Sequence, residues 1–179
     1  MKVLIDANVL FPTVLRQIVM GLAERGYFTP LWSERILEEW RRAAVRVGDG
    51  PVAEAEIAAL KARFPDAMVP VPDGAGADLS LPDPDDTHVL AAAIAGGADE
   101  LLTQNLKDFP TNVLSSHGIV RRDPDGFTRE AWHADPDGVG AVVADVLRIA
   151  GAYGIDVSNP RAVLKRARLP RLGKALYAS

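Results

Sequence analysis

The chain of 179 residues contains no cysteine, which excludes a disulfide scaffold and any thiolate zinc site. No apolar run reaches about 18 residues, so no segment reads as a membrane span. The amino terminus, Met1-Lys2-Val3-Leu4-Ile5-Asp6, meets a carboxylate too soon for a secretion signal, and the expectation is a cytoplasmic protein without membrane attachment. Neither GxxxxGK[ST] nor GxGxxG occurs, which argues against a nucleoside triphosphate or a dinucleotide as ligand. Histidine is scarce: His88, His117 and His133 are scattered along the chain and read as surface or core residues.

Apolar residues make up 48% of the sequence, and a chain of this length removes on the order of 70% of its unfolded surface from water, enough for a core without staples. The net charge of −4 hides an asymmetry. All 24 acids and 14 of the 20 Lys and Arg residues lie in residues 1–157, whereas 158–179 carry Arg161, Lys165, Arg166, Arg168, Arg171 and Lys174 and no acid. An acidic body repels nucleic acid unless cations sit at an acid-lined site or basic surface lies nearby.

Lys2 to Ile5 reads as a short buried strand feeding a polar turn. Pro12 introduces a helix whose Val14, Leu15, Ile18, Val19 and Leu22 recur at helical spacing until Gly26. A strand over 28–32 precedes Ser33, a good N-cap, and a helix to about Val47. After Gly48-Asp49-Gly50-Pro51 the pattern predicts a helix over 52–64, a strand over 67–71 and a Pro-, Gly- and Asp-rich loop to Leu81. Asp83-Pro84 opens a helix over 87–95, and Glu100 to Thr103 reads as a strand. A helical turn near Val113, a strand over 118–121 and an Asp-Pro-Asp-Gly turn before a short helix through Trp132 complete this part. Strands alternating with helices predict an α/β fold with a parallel sheet covered on both faces. Residues 135–179 read as helical and strand-free, so the organisation expected is a domain over 1–132 and a helical extension over 133–179. The tail bases alternate with Val163, Leu164, Leu169, Leu172, Leu176 and Tyr177, which predicts short helices burying the apolar set, with the bases edging the acidic region or an RNA backbone.

Ligands of open parallel sheets sit beyond the carboxyl ends of the strands, where strand order reverses. Asp6 ends the first strand; Asn105 and Asp108 follow the strand over 100–103; the two groups meet if those strands are neighbours. Asp83, Asp85 and Asp86 occupy the first turn of the helix between them, where capping alone accounts for acids. Capping explains neither Asp6 nor Asp108. In the helix after Ser33, Ile36, Trp40, Ala43 and Val47 define a predicted buried stripe, with Glu39 at its border and Glu38 nearly opposite. Converging carboxylates without cysteine suit Mg²⁺ or Mn²⁺, whose natural chemistry is phosphoryl transfer.

Four segments together, Val3-Leu-Ile-Asp6-Ala-Asn8, Ile36-Leu-Glu-Glu39-Trp, Asp83-Pro-Asp-Asp86-Thr-His-Val-Leu and Leu102-Thr-Gln-Asn105-Leu-Lys-Asp108-Phe-Pro, resemble the successive acidic motifs of PIN domains across about residues 1–130. The resemblance implies a PIN-like three-layer fold with a central parallel sheet flanked by helices, plus the carboxyl-terminal helical extension. It implies a metal-dependent ribonuclease and, for VapC-like members, a toxin held inactive by a cognate antitoxin, with a homodimer as a further expectation. By motif Asp6, Glu39 and Asp86 take the first three acidic places. The fourth, two residues after Thr103, holds Asn105, and Asp108 is the later acid of the same loop. Asn8, Asp83 and Thr103 join Asn105 as auxiliary candidates. Two other readings stay open: a PIN-fold binding module whose metal chemistry is impaired by Asn105, and a signalling receiver domain, which needs a phosphoacceptor aspartate ending a strand over 67–71.

Overall fold

In a computed structural model that describes residues 1–178, Val3, Leu4 and Ile5 are fully buried, as the central strand of a covered sheet requires. The strands are β1 (Lys2–Ile5), β2 (Thr29–Leu31), β3 (Glu100–Leu102) and β4 (Val120–Arg122), all parallel, in the order β2-β1-β3-β4. In chain order the helices are α1 (Ala7–Leu10), α2 (Thr13–Glu24), α3 (Glu34–Arg46), α4 (Gly50–Arg63), α5 (Thr87–Ala95), α6 (Thr111–Ser116), α7 (Pro124–Ala134), α8 (Pro136–Ala152), α9 (Pro160–Arg166) and α10 (Pro170–Leu176). The architecture is the α/β fold expected of a PIN-like chain.

The chain divides into two compact units, residues 1–11 with 28–122, and residues 12–27 with 123–179. In the first, Ile5 stands opposite Leu102, so β1 and β3 end together. The condition that the sequence left open is thus met: β1 and β3 are adjacent, and the order reverses between them. Helix α5 packs on both strands, while α3 packs on α4 and α1. Ser33 caps α3, its Oγ accepting from the Ile36 amide at 3.2 Å. One 3₁₀ turn, Pro84–Asp86, runs directly into α5, and Gly97 ends that helix with a φ of 60°, a value that glycine adopts without a Cβ clash.

Three expectations are corrected. Residues 67–71 form no strand: a single parallel bridge joins Met68 to Trp32. Pro70 and Pro72 lack the N–H groups that would extend a ladder, and the receiver reading loses its strand. The Asp-Pro-Asp-Gly segment is the first turn of α7, with Asp123 as N-cap accepting from the Gly126 amide at 2.8 Å and Pro124 at N1. The buried stripe of α3 is Ile36, Leu37, Trp40 and Ala44; Val47 is 59% exposed and Ala43 half-buried. The stripe is rotated because α3 packs on two helices, α1 and α4, and Ala43 faces a cleft.

The second unit pairs α2 with α8, α7 with α8 and α10, and α9 with α10. A Cβ added at Gly21 would lie 2.8 Å from Val142 Cγ1, so α2 and α8 approach more closely there than any larger residue permits. The tail forms its two short helices with Val163, Leu164, Leu169 and Leu172 buried and Leu176 and Tyr177 half-buried. Asp125, itself buried, accepts from the backbone amides of Arg171 and Leu172 and from Arg171 Nε at 3.0 to 3.1 Å, which ties α10 to α7. The junction between residues 132 and 133 lies within α7, inside this unit.

Candidate functional site

The β1 backbone ends at Ile5 and delivers Asp6 as the N-cap of α1, a one-turn helix the sequence pattern did not announce. Asp6 is 5% exposed, and a carboxylate so placed needs donors. Oδ1 accepts from the Ala7 amide at 2.7 Å; Oδ2 accepts from Thr103 Oγ1 at 2.7 Å and Asn8 Nδ2 at 2.9 Å. Thr103 follows β3 directly, so adjacent strand ends supply both acid and donor. Burial pushes the Asp6 carboxyl above its ordinary range, the Thr103 and Ala7 hydrogen bonds oppose the shift, and Glu39 adds to it.

Asn8 ties the two strand ends together. Its Oδ1 accepts from the Gln104 amide at 3.0 Å, and its own carbonyl accepts from Gln104 Nε2 at 2.6 Å. The Asn105 amide nitrogen donates to Thr103 Oγ1 at 3.0 Å. The auxiliary residues Asn8 and Thr103 therefore hold the backbone and the Asp6 carboxylate rather than lining the site with charge.

Asp86 is the hub of the acids. Burial first, then the charges of Asp6, Asp83, Asp108 and Glu39, push its carboxyl up to about 6. Single carboxylate oxygens of Asp83, Asp86 and Asp108 lie within 4.8 Å of one another. Asp6, Glu39 and Asp86 line one side of a cleft of about 450 Å³ with Asn8, and Arg42 and Arg46 line it too. Asp108 comes from a 3₁₀ turn, Leu106–Asp108, after β3. Asp83 also keeps its capping work, Oδ1 accepting from the Asp85 amide at 2.9 Å. All five acids thus come together around Asp86, in two overlapping groups that share it.

Glu38 and Glu39 differ in their partners. Glu38 pairs with Arg41 at 3.4 Å and Arg42 at 3.2 Å on the outside of α3, whereas Glu39 lines the cleft and its Oε1 meets His88 Nε2 at 2.5 Å. His88 is the residue sequence reasoning set aside. Its Nδ1 is buried without a partner among the described residues, so the one polar engagement of the ring is with Glu39, which puts the proton on Nε2. The available signal was its place on α5, two residues after Asp86, in a helix start already crowded with acids.

Asn105 Nδ2 donates to Asp86 Oδ2 at 3.2 Å. The amide sits at the acidic place of the motif and gives the crowded Asp86 a neutral donor. The set consists of oxygen ligands alone, and its mutual repulsion is expressed in the high Asp86 carboxyl; both fit a hard divalent cation.

A parallel sheet with carboxylates gathered at its switch point has them where open α/β folds bind their ligands. A family model of the PIN domain matches residues 2–107, and the chain belongs to the PIN domain family. Members of that family are generally nucleases that use divalent metals and act on RNA. Neither the curated proteins nor the solved structures give a match. No described helix is long and apolar enough to cross a membrane.

Proposed function

We propose that the chain is a divalent-metal-dependent endoribonuclease hydrolysing RNA phosphodiester bonds, the toxin of a type II toxin–antitoxin pair. The observation that carries the nuclease reading is the convergence of Asp6, Glu39, Asp83 and Asp108 on Asp86, whose carboxyl is raised first by burial and then by those four charges. Asp6, Glu39 and Asp86 are the proposed ligands, with Asp108 as a further ligand that also orients water. Bound there, Mg²⁺ or Mn²⁺ activates water and stabilises charge on the attacking and leaving oxygens of a phosphodiester. Thr103 and Asn8 fix the Asp6 carboxylate, His88 fixes Glu39, and Asp83 holds the turn that presents Asp86. Arg46, beside an Arg42 that is already paired with Glu38, gives the acidic cleft a cationic edge for a phosphate backbone. We assign nuclease chemistry to residues 1–132 and an accessory role to 133–179. The cytoplasm, a cognate antitoxin and a second copy of the chain complete the reading, and the antitoxin rests on the resemblance of the four motifs.

The test is thermal. Mn²⁺ bound to the native state alone raises the melting temperature by mass action, so saturating Mn²⁺ should melt the protein several degrees above an EDTA control at pH 7.5. Asp86 has a folded carboxyl raised to about 6 from an ordinary 3.8. Its penalty on the metal-free fold is fully present above 6 and is relieved as pH falls toward 3.8. Protons also compete with the cation there, so the Mn²⁺ increment should shrink from pH 7.5 to pH 5. An increment of zero at pH 7.5 rejects the cation site.

Asn105 favours a second reading, a PIN-fold binding module with impaired metal chemistry, because its amide already occupies Asp86 Oδ2. Asn105→Asp replaces that donor with a further charge. Under the nuclease reading the variant should reach half-maximal cleavage at a lower Mn²⁺ concentration and melt lower in EDTA. A wild-type preparation inert on several RNAs in millimolar Mn²⁺, with cleavage appearing only in Asn105→Asp, establishes the impaired module instead.

A further inference from the structure

Trp32 and Trp40 are buried, at 0% and 2% exposure. Trp132, on α7, is half-exposed, and it lines a cleft of about 470 Å³ between α7 and α10. That volume is in the range of ordinary small-ligand sites. The cleft is also lined by Arg129, His133, Arg171 and Lys174 and, among the described residues, by no carboxylate. The His133 ring lies against the indole with centroids 5.0 Å apart.

The cations divide by what already holds them. Arg171 Nη2 bonds Asp123 at 2.7 Å and its Nε bonds Asp125 at 3.1 Å, so this guanidinium is a fixed wall. Arg129 and Lys174 are exposed and make no ion pair among the described residues. The Asp125 carboxylate, by gripping the start of α10 through two backbone amides, sets the distance between the helices before any ligand arrives. Two cations with no ion pair among the described residues, beside a half-exposed aromatic ring, are the ingredients for single-stranded nucleic acid: bases stack on the ring and phosphates meet the charges.

We propose that the α7–α10 cleft binds single-stranded RNA, with one base stacked on Trp132 and neighbouring phosphates on Arg129 and Lys174. The choice of RNA rests on the ribonuclease reading; the stacking and charge pairing rest on this cleft alone. An acidic peptide would use the cations but has no flat base to place on the indole.

The test uses full-length Asp6→Asn in EDTA, so that binding is read without metal and without cleavage. Titration with a twelve-residue oligo(U) should quench tryptophan emission, and the quench should vanish in Trp132→Phe. By anisotropy of the labelled oligonucleotide, Trp132→Ala should weaken binding about ten-fold or more, with Trp132→Phe retaining most of the affinity. Arg129→Gln with Lys174→Gln should flatten the slope of log K against log salt by about 1.4. Circular dichroism melts confirm that each variant is folded. Unchanged affinity and salt slope in these variants overturns the proposal, as does a polyglutamate peptide that binds at the cleft while oligo(U) does not. Cleavage by the otherwise wild-type chain is scored separately. Oligo(U) binding through Trp132 without cleavage sinks the nuclease reading alone; cleavage with an inert cleft sinks this proposal alone.

Discussion

Asp86→Asn should lower RNA cleavage by about 10³-fold and, in EDTA, raise the melting temperature. The two effects have one source. Asp86 is crowded by Asp6, Asp83, Asp108 and Glu39, and its carboxyl stands at about 6, so a charge held there at pH 7.5 destabilises the metal-free fold. The asparagine carbonyl can still accept from Asn105 Nδ2, which keeps the local geometry while removing the repulsion. With a cation in the cleft the same charge would serve as a proposed ligand, and losing several kcal/mol of electrostatic stabilisation in the transition state corresponds to about three powers of ten in rate. Single-turnover cleavage of a labelled RNA and paired melts in EDTA and Mn²⁺ measure both. A variant that melts lower in EDTA and still cleaves would make Asp86 a helix-start residue and nothing more.

Adjacent glutamates on α3 should differ as sharply. Glu39→Gln is expected to reduce cleavage by about 10² to 10³-fold, whereas Glu38→Gln should stay within about two-fold of wild type. Glu38 spends its charge on Arg41 and Arg42 at the surface, and such pairs contribute about 1 kcal/mol or less. Glu39 faces the cleft with Asp6 and Asp86 and is held by His88. Glutamine at 39 can still accept from His88 Nε2, so the loss is that of a charged ligand rather than of packing. Matched titrations of Mn²⁺ against rate separate weaker metal affinity from a lower maximum. Comparable activity of the two variants would remove Glu39 from the site.

The juxtaposition of Asp6 with residues 103–108 was legible because short apolar runs mark strand ends, and strand ends bring their next residues together once β1 and β3 are neighbours. Glu39 was legible for a weaker reason. Its assignment used a stripe containing Ala43 and Val47, and α3 in fact buries Leu37 and Ala44. Glu39 still faces inward, because the cleft occupies the border that Ala43 shares. The false strand at 67–71 shows the limit of composition: Val69 and Val71 favour extended chain, but Pro70 and Pro72 remove the donors on which pairing depends. The His88–Glu39 contact and the meeting of Trp132 with Lys174 depend on helix packing across 49 and 42 residues of sequence, which no local period encodes.

The close approach of Gly21 to Val142 also sets a clock. Helix α2 leaves the ribosome before α8, the partner on which it packs, which is specified 121 residues later. At about 5 to 20 residues per second, synthesis leaves that interval open for roughly 6 to 24 s. During it Leu15, Ile18, Val19 and Leu22 are without α8, and the growing chain offers chaperones and proteases an apolar helix that the finished protein conceals. Recovery of folded protein therefore depends on what happens to α2 during translation, an interval in which three of the four proposed ligands, Glu39, Asp86 and Asp108, are themselves still being made.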